Sequence, residues 1–126
     1  MIEDGVRQIG NVYLGENVHI AAPSELMAKH SQIVIGGDCD IAAFVTITTA
    51  DSHRLCLGLM KEISRREIVI EDHVFIGVGA VILGGTRIGH HSVIGAGVVL
   101  GNRTIPPWSR VRVLDPVIEE GFYNRG

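Results

Sequence analysis

The chain has 126 residues, of which 46% are hydrophobic, 20% charged and only 5% aromatic, with 16 glycines. That length holds a single domain, 1–126, because two cores would leave each half near the lower limit for folding alone. A net charge of −3 excludes the broad positive field that draws in nucleic acid or an anionic membrane surface, and no run approaches the ~18 apolar residues of a membrane-spanning helix.

At the N-terminus, Met1-Ile2-Glu3-Asp4 has neither the basic start nor the apolar run of a secretory signal. The two cysteines, Cys39 and Cys56, form no C-x-x-C or disulfide framework. Free thiols of this kind predict a reducing, cytoplasmic setting. Cys39 falls four residues after Ile35, in an inward slot, and reads as core; nothing near Cys56 suggests an activated thiol.

Taken in chain order, the aliphatic residues fall on a six-residue beat. It is faint at Leu14 and Ile20, slips over 26–34, and resumes at Ile35, Ile41 and Ile47. After an excursion at 54–67 it runs unbroken through Ile70, Ile76, Ile82, Ile88, Ile94 and Leu100. A six-residue period does not fit a 3.6-residue helix, but it does fit a short strand followed by a tight turn. Strand side chains alternate faces, so the positions two before each anchor also point inward. They are Ile68, Val74, Ala80, Thr86, Ser92 and Val98, small or β-branched as a thin prism requires.

Three residues after the anchors stand Asn17, Asp38, His73, Gly79, Gly85, His91 and Gly97. Glycine, Asn, Asp and His are the residues that enter the left-handed backbone region most readily, so these are predicted turn positions. Three strands and three turns close one triangular coil. The expectation is an all-β parallel solenoid of about four coils from Leu14 to Ile105, followed by a C-terminal tail, 106–126. Residues just before the anchors include Val69, Phe75, Val81, Val93, Val99 and Ile105, with Arg87 the exception. So much outward apolar surface predicts self-association; scattered exposed valines are the plainer alternative.

Continuing Ile35, Ile41, Ile47 by six lands on His53, where the chain leaves the prism. The segment 54–67 carries Arg54, Lys61, Arg65 and Arg66, and a loop projecting from a regular solenoid usually lines a site. An imidazole at its mouth, after Asp51-Ser52, is placed to act as a base. Asp51 is two residues away and would orient that ring or bind a substrate.

Thr48-Thr49-Ala50-Asp51-Ser52-His53, the loop, and then Ile70-Glu71-Asp72-His73-Val74-Phe75-Ile76-Gly77 resemble the hexapeptide-repeat O-acetyltransferases of capsule, O-antigen and exopolysaccharide synthesis. More distantly they are similar to the maltose and galactoside acetyltransferases, and the likeness extends from Asn11 to Pro107. The resemblance implies a left-handed parallel β-helix, a homotrimer, acetyl-CoA as acyl donor and a saccharide as acceptor. It makes His53 the general base, with Asp51 and Arg54 beside the acceptor. The donor would be held by Phe75, Val78, Ala96, Asn102, Arg103 and Trp108: Val78 toward the thioester, Ala96 along the pantetheine arm, Arg103 or Asn102 near the CoA phosphate, and Trp108 over the adenine. Phe75 stands where the family carries Trp, and the usual Gly-x-Pro-Ala-Lys ending is replaced by Val113-Leu114-Asp115-Pro116-Val117-Ile118.

Two other readings share the prism. A zinc enzyme like the γ-carbonic anhydrases needs converging histidines, two of them about five apart on one coil, and no such pair exists in this sequence. No metal site is therefore expected. His73 and His91 are explained by turn geometry, and the adjacent His90 and His91 are expected to diverge. A silent assembly subunit is the second reading; it should have lost the histidine and shortened the loop, whereas both are present. Arg65 and Arg66 either steer an anionic donor or simply solvate the loop.

Overall fold

The computed structural model describes residues 1–124 and is a parallel β-helix of about five turns. Its first face stacks Arg7–Ile9, Glu25–Met27, Thr46–Thr48, Val81–Leu83 and Val99–Leu100. The second stacks Asn11–Leu14, Ile33–Ile35, Ile68–Ile70, Arg87–Ile88 and Thr104–Ile105. The third stacks His19–Ile20, Asp40–Ile41, Phe75–Ile76, Val93–Ile94 and Arg110–Val111. All of these ladders are parallel, and each strand meets its counterpart one turn along.

The anchors do what their spacing predicts. Ile20, Ile41, Ile76 and Ile94 fill the third face, Leu26, Ile47, Ile82 and Leu100 the first, and Ile35, Ile70, Ile88 and Ile105 the second, all buried. Burying one such side chain is worth roughly 1.5–3 kcal/mol, so these columns provide most of the driving force. The second inward set, Ile68, Val74, Ala80, Thr86, Ser92 and Val98, is buried as well. Its hydroxyls are satisfied: Thr86 Oγ1 donates to the Leu83 carbonyl at 2.7 Å, and Ser92 Oγ donates to Pro106 O at 3.2 Å while accepting from Ser109 N. Cys39 lies in this core; Cys56 is exposed, and neither is in a disulfide.

The corners are columns of left-handed residues. One holds Asn17, Asp38, His73, His91 and Trp108, with φ between 56° and 62°. Another holds Phe44, Gly79 and Gly97, and the third Gly10, His30, Gly85 and Asn102. All seven predicted turn positions are among them. The corners also explain why several glycines lie tight against the next coil. A Cβ on Gly77 would sit 2.6 Å from the Ala96 nitrogen, so successive turns can stack only where that atom is missing.

Four expectations need correction. The solenoid is longer than Leu14 to Ile105: it starts at Arg7 and ends at Arg110–Val111, so the tail begins after Val111 rather than at 106. Residues 125–126 of that tail lie outside the described residues. Ile105 points inward, not outward, because the turn from Leu100 is one residue shorter than the others and Ile105 pairs with Ile88. The slip at 26–34 is a bulge within the single strand Glu25–Ile35, whose partner shifts register between Gly10 and Asn11. Finally, His90 and His91 do not diverge; their Nδ1 atoms lie 2.9 Å apart.

Candidate functional site

The excursion opens at the corner between the first and second faces. Its base is a short antiparallel pair, Ala50–Asp51 against Ser64–Arg65, so the departure from the prism begins slightly before residue 54. Arg66 N donates to the Thr49 carbonyl at 3.1 Å and Arg65 Nη1 donates to the Lys29 carbonyl at 3.1 Å, which tie the returning strand to the coil beneath. Between these strands lies one turn of helix, His53–Cys56, with Leu57 N donating to the His53 carbonyl. His53 therefore sits at the first helical position, fixed from both sides.

One carboxylate oxygen orients it. Asp51 Oδ1 accepts from the His53 backbone N–H at 3.1 Å and also contacts His53 Nδ1. The ring's hydrogen bond, then the backbone one, holds the Asp51 carboxyl below the usual carboxylate range, so it stays ionised at neutral pH. With Nδ1 engaged, Nε2 forms no hydrogen bond among the described residues, and the side chain is 62% exposed. That arrangement leaves a basic nitrogen facing solvent with its ring rotation restricted.

The dyad lines a cavity of about 540 Å³. Thr49 and Ala50, Leu83 and Gly84, and Gly101 and Asn102 form its wall, the same corner taken three coils in succession, while Arg54, Met60, Ser64 and Arg66 close it from the loop. A Cβ on Gly84 would lie 2.6 Å from the Thr49 carbonyl oxygen. Gly84 thus keeps the corner column tight while leaving the cavity floor free of a side chain.

Of the predicted site residues, His53, Asp51, Arg54 and Asn102 come together here. The others do not. Val78 and Ala96 sit one above the other at the corner between the third and first faces, with Gly97 N donating to the Val78 carbonyl at 3.0 Å. The N–H groups of Val78 and Ala96 have no acceptor among the described residues. Phe75 projects from the third face, and Arg103 is exposed outside the cavity lining. Trp108 lies at the remaining corner, stacked on His91 with ring centroids 4.3 Å apart. Within one chain, the predicted base and most of the predicted donor contacts are at different corners.

Sequence reasoning missed Thr49, Met60, Ser64, Gly84 and Gly101. For Gly84 and Gly101 the signal available was the six-residue beat: they come within two residues after Ile82 and Leu100, as Thr49 does after Ile47, at the corner where the chain leaves the prism. Met60 and Ser64 lie in the loop, off the beat. Among the described residues no three His, Cys, Asp or Glu side chains cluster in a way that would hold a metal ion. No helix is long and apolar enough to cross a membrane.

These features define a hexapeptide-repeat β-helix carrying a histidine loop. Residues 67–102 match the family model described as bacterial transferase hexapeptide (six repeats). The chain is 34% identical over 89 residues to the galactoside O-acetyltransferase of Lactococcus lactis subsp. lactis (strain IL1403), covering 69% of this chain and 42% of that protein. In fold it is similar to a hexapeptide-repeat acetyltransferase of Vibrio cholerae O1 biovar eltor complexed with acetyl-CoA, with a TM-score of 0.67 and 30% identity over 77% of this chain and 52% of that one. It is also similar to a maltose O-acetyltransferase from Clostridium difficile 630, with a TM-score of 0.73 and 29% identity over 94% of this chain and 66% of that one. The chain spans less than half the length of the Lactococcus protein.

Proposed function

We propose that this protein transfers an acetyl group from acetyl-CoA to a hydroxyl of a saccharide, with His53 as general base. The observation that carries the reading is the Asp51–His53 pair on the wall of a cavity large enough for a sugar. His53 Nε2 takes the proton of the acceptor hydroxyl as its oxygen attacks the thioester carbonyl. The carbon–sulfur bond then breaks, and the CoA sulfur leaves with the proton that His53 returns. No covalent acyl-enzyme is needed. A positioned base accelerates such a step by about 10²–10⁴-fold, and holding two substrates in line adds to that.

The likeness to a galactoside acetyltransferase and to an acetyltransferase complexed with acetyl-CoA supports both the donor and the sugar acceptor. The unpartnered N–H groups of Val78 and Ala96 suit the amide-rich pantetheine arm, and the glycines that follow them leave open space where a Cβ would stand. Because these groups and His53 occupy different corners, we infer a homotrimer in which His53 of one copy and the donor contacts of the next share a groove.

The test is CoA release by the wild-type protein and His53→Ala across a panel of sugars. Loss of about 10²–10⁴-fold is expected in the variant; an alanine protein that works at the wild-type rate would remove the mechanism.

A further inference from the structure

We propose that the acceptor is anionic, a sugar bearing a phosphate or carboxylate, and that Arg54 and Arg66 bind that charge beside His53. This rests on the transferase reading for its chemistry, but not for its binding step.

The argument begins with the charges at the cavity. Arg54 and Arg66 both line it. Neither forms an ion pair or a side-chain hydrogen bond among the described residues. The nearby acids are committed elsewhere. Asp51 is hydrogen-bonded to His53 and shares with Arg54 only a through-space attraction, and Glu67 is held by the Gln32 amide and by Arg87 at 3.9 Å. The neighbouring Arg65 is also committed, to the Lys29 carbonyl. Two guanidinium groups without a direct salt bridge therefore line one cavity in a chain that has 14 acidic and 11 basic side chains. A general surplus of positive charge does not explain them.

The alternative that Arg65 and Arg66 merely solvate the loop thus divides: Arg65 is structural and Arg66 is available. Nor does the donor account for the pair. For transfer, the thioester carbonyl must lie against His53, and the pantetheine arm then carries the CoA phosphates its whole length away. Groups adjoining the imidazole face the acceptor. The planar guanidinium fork matches the two oxygens of a carboxylate or phosphate, and such charge-assisted contacts are about twice as strong as neutral ones. A neutral sugar would leave Arg66 uncompensated, and Arg54 facing only the charge of Asp51, which His53 already engages.

The experiment compares glucose, glucose 6-phosphate and glucuronate as ligands of the full chain. Equilibrium binding is measured to the wild type, His53→Ala and the double variant R54Q/R66Q, and CoA release is measured in parallel. Both arginines are exposed, and circular dichroism checks that the double variant keeps the wild-type fold. At least one anionic sugar is expected to bind about tenfold or more tightly than glucose, a free-energy difference of about 1.4 kcal/mol. His53→Ala should keep that preference, and R54Q/R66Q should abolish it, with KM for acetyl-CoA unmoved. A preference for only one of the two anions identifies the group that is read.

Equal binding of glucose and both anionic sugars overturns the proposal, and turnover of glucose in that case leaves the transferase reading intact. A double variant that keeps the anionic preference but loses acetyl-CoA affinity also overturns it, assigning the arginines to the donor. Conversely, arginine-dependent anion binding with no acetyl transfer to any sugar would sink the transferase reading and not this one.

Discussion

Trp108 lies face to face with His91, their ring centroids 4.3 Å apart and their planes 16° from parallel. His91 in turn stacks on His73 at 4.6 Å, so one corner of the prism is an aromatic column running across its last three coils. Trp108 nevertheless sits at φ 62°, a region that costs a residue with a Cβ roughly 1–2 kcal/mol. The stack, worth about 1 kcal/mol, offsets that strain. Trp108→Ala keeps the strain and loses the stack, whereas Trp108→Gly loses both. The glycine variant should therefore be the more stable of the two by about 1 kcal/mol, measured by urea unfolding. A glycine variant weaker than the alanine one would show that the backbone strain is not what the column offsets.

Asp51→Asn separates orientation from charge. The amide oxygen can still accept from the His53 backbone, but it no longer carries the carboxylate that balances a protonated ring. Its activity should fall between wild type and His53→Ala, within the range of about 10²–10⁴-fold that separates those two. Asp51 has a depressed carboxyl pKa, so its contribution to stability is present above its unfolded value and is lost as pH falls through the folded one. Acid should thus narrow the gap in Tm between wild type and Asp51→Asn. A gap that stays constant down to low pH would contradict the pairing.

The fold was legible because one short period encodes everything a coil needs. Each anchor, each small inward residue and each turn residue recurs at its own fixed phase, and Ile70 through Leu100 keep that phase without error. The ends were not legible. Arg7–Leu14 has only Leu14 on the beat, and it is recognisable as a coil only through its pairing with Glu25–Ile35. Arg110–Val111 is hidden by the shortened turn at Asn102. In the site, His53 and Asp51 were legible because they interrupt the pattern. Arg66 was singled out but left between steering an anionic donor and solvating the loop, and Gly84 and Gly101 become meaningful only once it is known which corners stack beneath that loop.

His19 clasps the first coil to the second. Its Nε2 meets Glu3 Oε2 at 2.9 Å and its Nδ1 meets Asp40 Oδ1 at 3.0 Å, while Glu3 Oε1 accepts from Ala22 N at 3.1 Å. The hydrogen bond to Glu3, then that to Asp40, raises the imidazole pKa above its ordinary 6.5. A raised value means that the stabilisation is fully present below the unfolded pKa and disappears as pH climbs through the folded one. The Tm advantage of wild type over His19→Gln should therefore be complete just below pH 6.5 and shrink on the alkaline side. Below the ordinary carboxylate range it should shrink again, as Glu3, held low by the Ala22 N–H and then by His19, is protonated. An advantage that grows with alkaline pH would exclude the bridge.

Gly84→Ala tests the cavity floor. The added Cβ would press on the Thr49 carbonyl oxygen, which also accepts from Arg66 N. Overpacking of this kind costs typically 1–3 kcal/mol, and it would displace the strand that carries Arg66. Stability and acceptor affinity should fall together, read by urea unfolding and by KM for the sugar. A variant that loses stability but keeps its KM would mean that the corner column and the cavity are mechanically independent.

The proposed self-association predicts a signature on the third face. Phe75 and Val93 are register partners, 41% and 42% exposed, and they form an apolar stripe on strands whose other side is core. A charge there would be solvated in a monomer and buried against apolar surface in a trimer. Val93→Glu should therefore leave the circular dichroism spectrum unchanged, because its neighbour Ile94 still fills the core. It should convert a trimer to monomers in analytical ultracentrifugation. If the site is shared between copies, CoA release must fall at the same protein concentration at which the trimer dissociates, and mixing with an excess of His53→Ala protein must give subunit-exchange kinetics. Dissociation with full activity would place the donor and His53 on one chain after all; a monomeric wild type would remove the trimer while leaving the prism and its dyad untouched.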